Sequence, residues 1–351
     1  MVFKMKILVL PNDPLSQYKI HGNYHQFMDR IYYYKNFFDV KILNFDNTKI
    51  FDEKIKILNY TLKRNKILEI TNKIRKLKKI DCDIIRVFDG VSFVESFSAS
   101  VAKENRYIFA SFHGIWSDWI KSRKSYEKIF IKIFKKYSEN HVDVAFCVSN
   151  QIFKILDFKN KYIIPNYIDK NVFKPINIEK KYDLIFVGSL REDKGIFDLL
   201  TLFKKIKKEK KDVKLLLIGK KYVNLPNIDG IYYLGVKDYC LLPKFYNMSK
   251  IFVSLSHSEG FGMPLIEAQA CELPVVARDL EVFKEITFNS FLSNNYNYLK
   301  DTIIYLLEDE KSRKKIGVSA RKFVINNFEK EKILNKEVDI IRRFLGGLYP
   351  L

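Results

Sequence analysis

Apolar and polar positions alternate along the chain in blocks that switch between strand-like and helical spacing. Met5–Leu10 is an apolar run closed by Pro11-Asn12-Asp13-Pro14, the pattern of a buried strand followed by a loop. Tyr24–Phe37 has helical spacing, Asp39–Leu43 reads as the next strand, and Asn59–Leu77 repeats apolar residues at helical intervals. Asp83–Phe88, Tyr107–Phe112 and Val142–Val148 read as further strands, separated by helical patterns over Glu95–Asn105 and Glu127–Tyr137. Near-continuous apolar strands between helices predict a parallel sheet covered on both faces.

The alternation then restarts. Tyr182–Val187, Val213–Ile218, Ile231–Leu234, Ile251–Leu255 and Pro274–Ala277 read as strands. Helical patterns cover Gly195–Lys208, Leu241–Met248 and Pro264–Cys271, and Leu299–Leu307, Ser312–Asn327 and Glu331–Phe344 read as closing helices. The expectation is two doubly wound α/β domains joined near residues 165–180, with ligand loops outside the carboxyl ends of the strands and a cleft where the two domains face each other. No repeat of 20–50 residues is visible.

Composition narrows the class without naming a function. The chain has 351 residues, 47% hydrophobic and 29% charged, which is globular composition. No apolar run approaches the roughly 18 residues of a membrane span, and the four cysteines are scattered and read as buried free thiols in a reducing compartment. The formal charge is +21. Such a surplus attracts polyanions such as nucleic acid, anionic lipid or phosphorylated substrates, or it is an ordinary solvated surface. Ten Lys or Arg against Glu69 lie between Lys54 and Lys79, and seven against Glu127 between Lys121 and Lys136, both interleaved with aliphatic and aromatic residues. Each stretch reads either as a plain amphipathic helix or as a face that docks on anionic lipid.

The segment Ser256-His-Ser-Glu-Gly-Phe-Gly-Met-Pro-Leu-Ile-Glu267 carries the most chemistry. It follows a strand and enters a helix, with Gly260 and Gly262 permitting close backbone approach and Pro264 suited to a first turn. Free amides at such an entry favour an anion, and Glu259 and Glu267, with seven residues between them, can accept hydroxyls of the same molecule. Taken alone, the two acids equally suit solvated charges at a helix entry, or the paired carboxylates of a glycosidase.

This segment resembles the signature of the retaining glycosyltransferases of family 4, which have the GT-B fold. Ile164-Pro-Asn-Tyr-Ile-Asp169, Phe186-Val-Gly-Ser-Leu190 with Asp193-Lys-Gly195, Cys147-Val-Ser149 and Phe112-His-Gly114 resemble further motifs of that family. The resemblance implies an N-terminal Rossmann-like acceptor domain over 1–168, a Rossmann-like nucleotide-sugar domain over 169–330, and a helix over 331–351 crossing back to the first domain. It implies donor contacts from Gly22, Asn23, Gly188, Ser189, Arg191, Lys194, Gly235, Val236, Glu259, Gly260, Phe261, Gly262, Met263 and Glu267. In it His113, Glu259 and Lys194 are the catalytic set, with Lys194 neutralising the diphosphate leaving group and Glu267 holding the ribose.

The implied function is transfer of a sugar, with retention of configuration, from a nucleotide-diphosphate sugar to a glycan or lipid-linked acceptor. The nucleotide sugar is a co-substrate; no cofactor and no metal are expected. Asp81-Cys82-Asp83 is read as structural, because it lies ahead of a strand and away from the ligand loops. The expected location is the cytoplasm, with the inner face of an anionic membrane as a partner surface. Three departures stand out: Ser189 replaces the Arg usual after the phosphate-loop Gly, with Arg191 two positions on; His21-Gly22-Asn23 replaces a Gly-Gly pair; and Glu272 replaces a Gly. The rival readings are an inactive GT-B homologue, a sugar-nucleotide epimerase of the same fold, and a polyanion- or nucleic-acid-binding protein. The last is disfavoured because no nucleic-acid motif accompanies the charge.

Overall fold

The computed structural model describes residues 4–11, 23–44, 56–59, 66–89, 92–115 and 123–346. The chain divides into two compact units, Met1–Pro165 with Ile333–Leu351, and Asn166–Lys332.

The first unit is built on a seven-stranded sheet: β1 (Lys6–Leu10), β2 (Asp39–Asn44), β3 (Lys56–Asn59), β4 (Ile84–Asp89), β5 (Tyr107–Phe112), β6 (Val144–Cys147) and β7 (Lys161–Ile163). Their order is β3-β2-β1-β4-β5-β6-β7, and the pairings are parallel. Ile7, Leu8, Val9 and Leu10 are all fully buried, as expected for a central strand covered on both faces. Mid-strand in β4, however, stands a charge. Arg86 is fully buried, and its guanidinium lies 2.5 Å from Glu337 on the helix Lys330–Gly346. Arg30 meets the other oxygen of Glu337 at 2.9 Å, and the Tyr34 hydroxyl donates to the same carboxylate. Burial alone would raise that carboxyl, but Arg86, Arg30 and the Tyr34 hydroxyl outweigh it and hold it at about 2.

The second unit holds β8 (Tyr182–Val187), β9 (Leu215–Ile218), β10 (Ile231–Tyr233), β11 (Ser249–Ser254), β12 (Val275–Ala277) and β13 (Phe291–Leu292) in the order β10-β9-β8-β11-β12-β13, again parallel. The helix Ile196–Glu209 lays Ile196, Leu199, Leu202, Phe203 and Ile206 into the core with residues of β8, β9 and β11. From β8 the chain first builds outward to β9 and β10, then returns to the other side of β8 with β11. The switch point therefore falls between the carboxyl ends of β8 and β11, where doubly wound sheets leave a crevice.

Four details differ from the sequence-based expectations. The helix expected over Asn59–Leu77 is the shorter Lys66–Lys78, and Asn59 is the last residue of a strand, Lys56–Asn59. Lys73 of that helix is a buried partner of Glu95 at 2.6 Å and so is not a surface charge. The segment Leu241–Met248 begins as a 3-10 turn, Tyr239–Leu241, before the helix Leu242–Asn247. Cys82, Cys147 and Cys271 are buried, but Cys240 is exposed because it lies on that turn.

Candidate active site

The loops after β8 and β11 bring the densest set of expected residues together, and glycines make this possible. Gly188, directly after β8, opens the first loop at φ 155°. Gly219, after β9, has φ 142°, and a Cβ there would lie 1.8 Å from the Gly188 carbonyl oxygen. The chain continues through a 3-10 turn, Glu192–Lys194, to Gly195 at φ 66°. A backbone bond from His257 N to Asp193 O, 2.9 Å, ties the two loops together.

The second loop ends at Gly262, φ 103°, where the helix Met263–Ala270 starts with Pro264 in its first turn. A Cβ on Gly262 would come within 2.9 Å of the Phe283 ring. Phe261 is buried, edge-on to Phe328 at 5.8 Å. Unbonded amides of a first helical turn, with the helix dipole behind them, favour negative charge at this entry.

Three side chains furnish the crevice. Lys194 Nζ lies 2.7 Å from Glu259 Oε1, both partly exposed, and the Ser256 hydroxyl donates to the same oxygen at 2.9 Å. The ammonium of Lys194 and the carboxylate of Glu259 therefore bind each other while retaining access to solvent. Glu267, one turn into the helix, is buried and accepts a 2.8 Å hydrogen bond from Tyr246. Burial pushes its carboxyl up to about 7, and the Tyr246 bond only partly offsets this.

The other expected residues are placed differently. Arg191 is engaged by Asp193 through two bonds, 2.9 and 2.6 Å, beside Ser189 on the first loop. Gly235 follows β10 and accepts from Gly219 N at 2.9 Å, and the neighbouring Val236 is exposed. Gly260 lies between Glu259 and Phe261 in the second loop. His113 belongs to the first unit, directly after β5, half-buried and stacked on Phe88 at 6.3 Å. Asn23 opens the helix Asn23–Tyr34, and Gly22 lies outside the described residues. Asp81 pairs with Lys6 at 2.5 Å, and Asp83 accepts from Lys6 N at 2.7 Å. Among the described residues no group of three or more His, Cys, Asp or Glu is arranged to hold a metal ion.

Sequence reasoning missed the cluster that braces this site. Asp198 accepts from Arg278 at 2.6 Å and meets His257 Nε2 at 2.6 Å. Burial would raise the Asp198 carboxyl, but Tyr296, His257 and Arg278 together hold it below the usual range. His257 sits two residues before Glu259, so Asp198 anchors the loop that carries the candidate acid to the helix Ile196–Glu209. The presence of a His within the loop was the only local signal; its partners come from distant segments.

Residues 168–323 match the family model described as Glycosyl transferases group 1. The capsular polysaccharide biosynthesis glycosyltransferase CapM of Staphylococcus aureus is 29% identical over 221 residues, 59% of this chain and 57% of that protein. The chain spans between 52% and 57% of the length of the first three curated relatives it matches. Among solved structures, sucrose-phosphate synthase from Thermosynechococcus elongatus superposes with a TM-score of 0.81 at 15% identity, over 97% of this chain and 100% of that one. Anabaena Alr3699/HepE, crystallised with UDP-glucose, gives a TM-score of 0.77 at 16% identity, over 97% and 100%. At these identities the structural likeness is one of fold, and that fold is GT-B.

Proposed function

We propose that this chain, whose residues 168–323 belong to the glycosyl transferases group 1, is a retaining glycosyltransferase of family 4. In this reading it passes a hexose from a nucleotide-diphosphate sugar to a glycan or lipid-linked acceptor at the cytoplasmic face of a membrane. The observation that carries the reading is the Lys194–Glu259 pair, 2.7 Å apart, at the carboxyl ends of β8 and β11 beside a glycine-bounded helix entry. UDP-glucose in the Anabaena structure supports a nucleotide sugar as the donor class.

The chemistry follows from charge. The bond between the anomeric carbon and the diphosphate breaks, and negative charge grows on the leaving oxygen. Lys194 and the amides of Phe261, Gly262 and Met263 lie where that charge is stabilised. Glu259, released from Lys194 by the incoming diphosphate, accepts hydroxyls of the transferred sugar. Glu267 accepts the ribose hydroxyls, and the loop at Gly235–Val236 borders the base. The acceptor oxygen bonds to the same face of the anomeric carbon, and its proton passes to the departing phosphate oxygen. His113, Asn23 and Gly22 contribute to the donor from the first unit in this reading, and Arg191 exchanges Asp193 for phosphate. No metal or other cofactor takes part.

A thermal-shift panel of UDP-, GDP-, ADP- and dTDP-sugars tests this. One nucleotide class should raise the melting temperature, with the effect kept in EDTA and lost in Glu267→Ala. A shift abolished by EDTA would remove the metal-free mechanism; a shift unchanged in Glu267→Ala would remove the ribose assignment.

A further inference from the structure

The helix Ser125–His141 of the first unit carries apolar residues on two faces. One faces inward: Ile131 is buried, and Phe134 stacks on Phe97 at 4.3 Å. The other is turned to solvent. Tyr126, Ile129, Phe130 and Ile133 are exposed by 56%, 60%, 48% and 52%. Their spacing, i, i+3, i+4 and i+7, places them on one stripe about 10 Å long. Four large side chains left outside on one stripe exceed the scattered exposure of an ordinary surface.

Charge lies alongside this stripe. Lys132 and Lys136 stand three residues after Ile129 and Ile133 and flank the stripe on that side, whereas Lys128 is turned to the far side of the helix, and Arg123 and Lys124 precede the helix. Lys135 is paired with Glu139. The one acid within the stripe's length, Glu127, takes part in the helix's own first turn through Lys124 N, 3.4 Å. No helix among the described residues is long and apolar enough to cross a membrane.

We propose that this stripe and its flanking lysines are a docking face for an anionic lipid bilayer, lying in the plane of the interface with Ile129, Phe130 and Ile133 inserted below the head groups. The chemistry selects this occupant. A bilayer offers hydrocarbon to the stripe and negative charge to the lysines at the same depth. A second copy would bring one set of flanking lysines against another in a chain of formal charge +21. The inference rests on the membrane-face part of the proposed function and gives it a surface; because vesicle binding is measured without donor, its failure leaves the transfer chemistry to be judged by the donor panel.

The test is cosedimentation of the full chain with vesicles of phosphatidylcholine containing 30% phosphatidylglycerol, and with phosphatidylcholine alone, at low and high salt. Binding should require the anionic lipid and weaken with salt. Ile129→Ser with Phe130→Ser should lower the partition coefficient by about tenfold or more at unchanged melting temperature. Replacing Lys132 and Lys136 together by Gln should cost about 25-fold at low salt, each lysine contributing about fivefold, while Lys128→Gln alone should change binding little. As a second readout, Ile133→Cys in a Cys240→Ser background, labelled with a polarity-sensitive dye, should shift to the blue on anionic vesicles only. Absent binding at low salt, equal binding by the serine variant, or no dye shift overturns the proposal. A concentration-dependent dimer broken by the serine variant, without vesicle binding, assigns the stripe to a second copy instead.

Discussion

A Cβ added to Gly195 would lie 1.9 Å from the carbonyl oxygen of Leu255. The loop after β8 and the loop after β11 therefore meet backbone to backbone, and Lys194 is held opposite Glu259 by this approach as much as by charge. Gly195 also sits at φ 66°, in the left-handed region.

Gly195→Ala should consequently cost at least about 2 kcal/mol, because the left-handed conformation and the collision with Leu255 add. It should also abolish any stabilisation by donor, since relief of the collision moves the Lys194 loop away from Glu259. Gly235 is the control. It has φ 69°, but a Cβ there meets nothing within 4 Å, so Gly235→Ala should cost only about 1 kcal/mol. Urea unfolding monitored in the second unit, with and without donor, gives both numbers. Equal costs at the two positions would contradict the close-approach argument.

Lys194→Met should lower kcat/KM by about 10²–10³. The lost ammonium removes the charge opposite the leaving diphosphate and leaves the Glu259 carboxylate facing it unpaired. Lys194→Arg should recover only part of the activity, since a planar fork does not reproduce a compact ammonium 2.7 Å from Glu259 Oε1. Initial rates of donor turnover decide; an unchanged kcat/KM in Lys194→Met would remove Lys194 from the proposed mechanism.

How much of this was legible beforehand depends on how local each signal is. The central strands β1, β4, β8 and β11 announce themselves as apolar runs, and the glycines flanking Lys194 and Met263 mark turns that only their own backbone requires. The two-sheet GT-B architecture follows from those signals. The strands β3, β7 and β13, of four, three and two residues, are too short for a period and lie at sheet edges. The helices Asn150–Ile155 and Glu281–Ile286 escape for the same reason. The braces around the site are illegible for a different one. Tyr246 with Glu267, and Asp198 with His257 and Arg278, are meetings of distant segments, and no spacing along the chain encodes them.

Glu267 should make donor binding depend on pH near neutrality. Burial raises its carboxyl from 4.5 to about 7, so the folded unit prefers the protonated form. The sign is that of a raised acid: the group favours folding below pH 4.5, and that contribution disappears as pH rises to 7. The difference is on the order of 3 kcal/mol. Glu267→Gln keeps an acceptor for the Tyr246 hydroxyl and should gain stability relative to the parent across that interval. If the ionised form accepts the ribose hydroxyls, donor binding at pH 6.5 releases a proton. Calorimetry in two buffers of different ionisation enthalpy would reveal the release, and identical heats in both would contradict the assignment.

Glu337 should be the most costly single position in the first unit. Its carboxyl is lowered to about 2 against burial, by Arg86 and Arg30 and by the Tyr34 hydroxyl. A depressed acid contributes stability that is present above its unfolded value near 4.5 and lost as pH falls toward 2. Glu337→Gln leaves Arg86 and Arg30 buried with no counter-charge on that carboxylate, and breaking one partner of such a cluster costs about 3–5 kcal/mol. Hydrogen exchange at the amides of β4 and the helix Lys330–Gly346 reads this unit separately from the second, which matters because two units need not unfold together. Replacing Glu337, Arg86 and Arg30 together by Met, with Tyr34→Phe so that its buried hydroxyl is not left without the Glu337 acceptor, should restore much of the protection, because these side chains carry neither charge nor hydroxyl to desolvate. Full protection in Glu337→Gln would mean that hydrogen bonds, and not charge, hold the helix to the sheet.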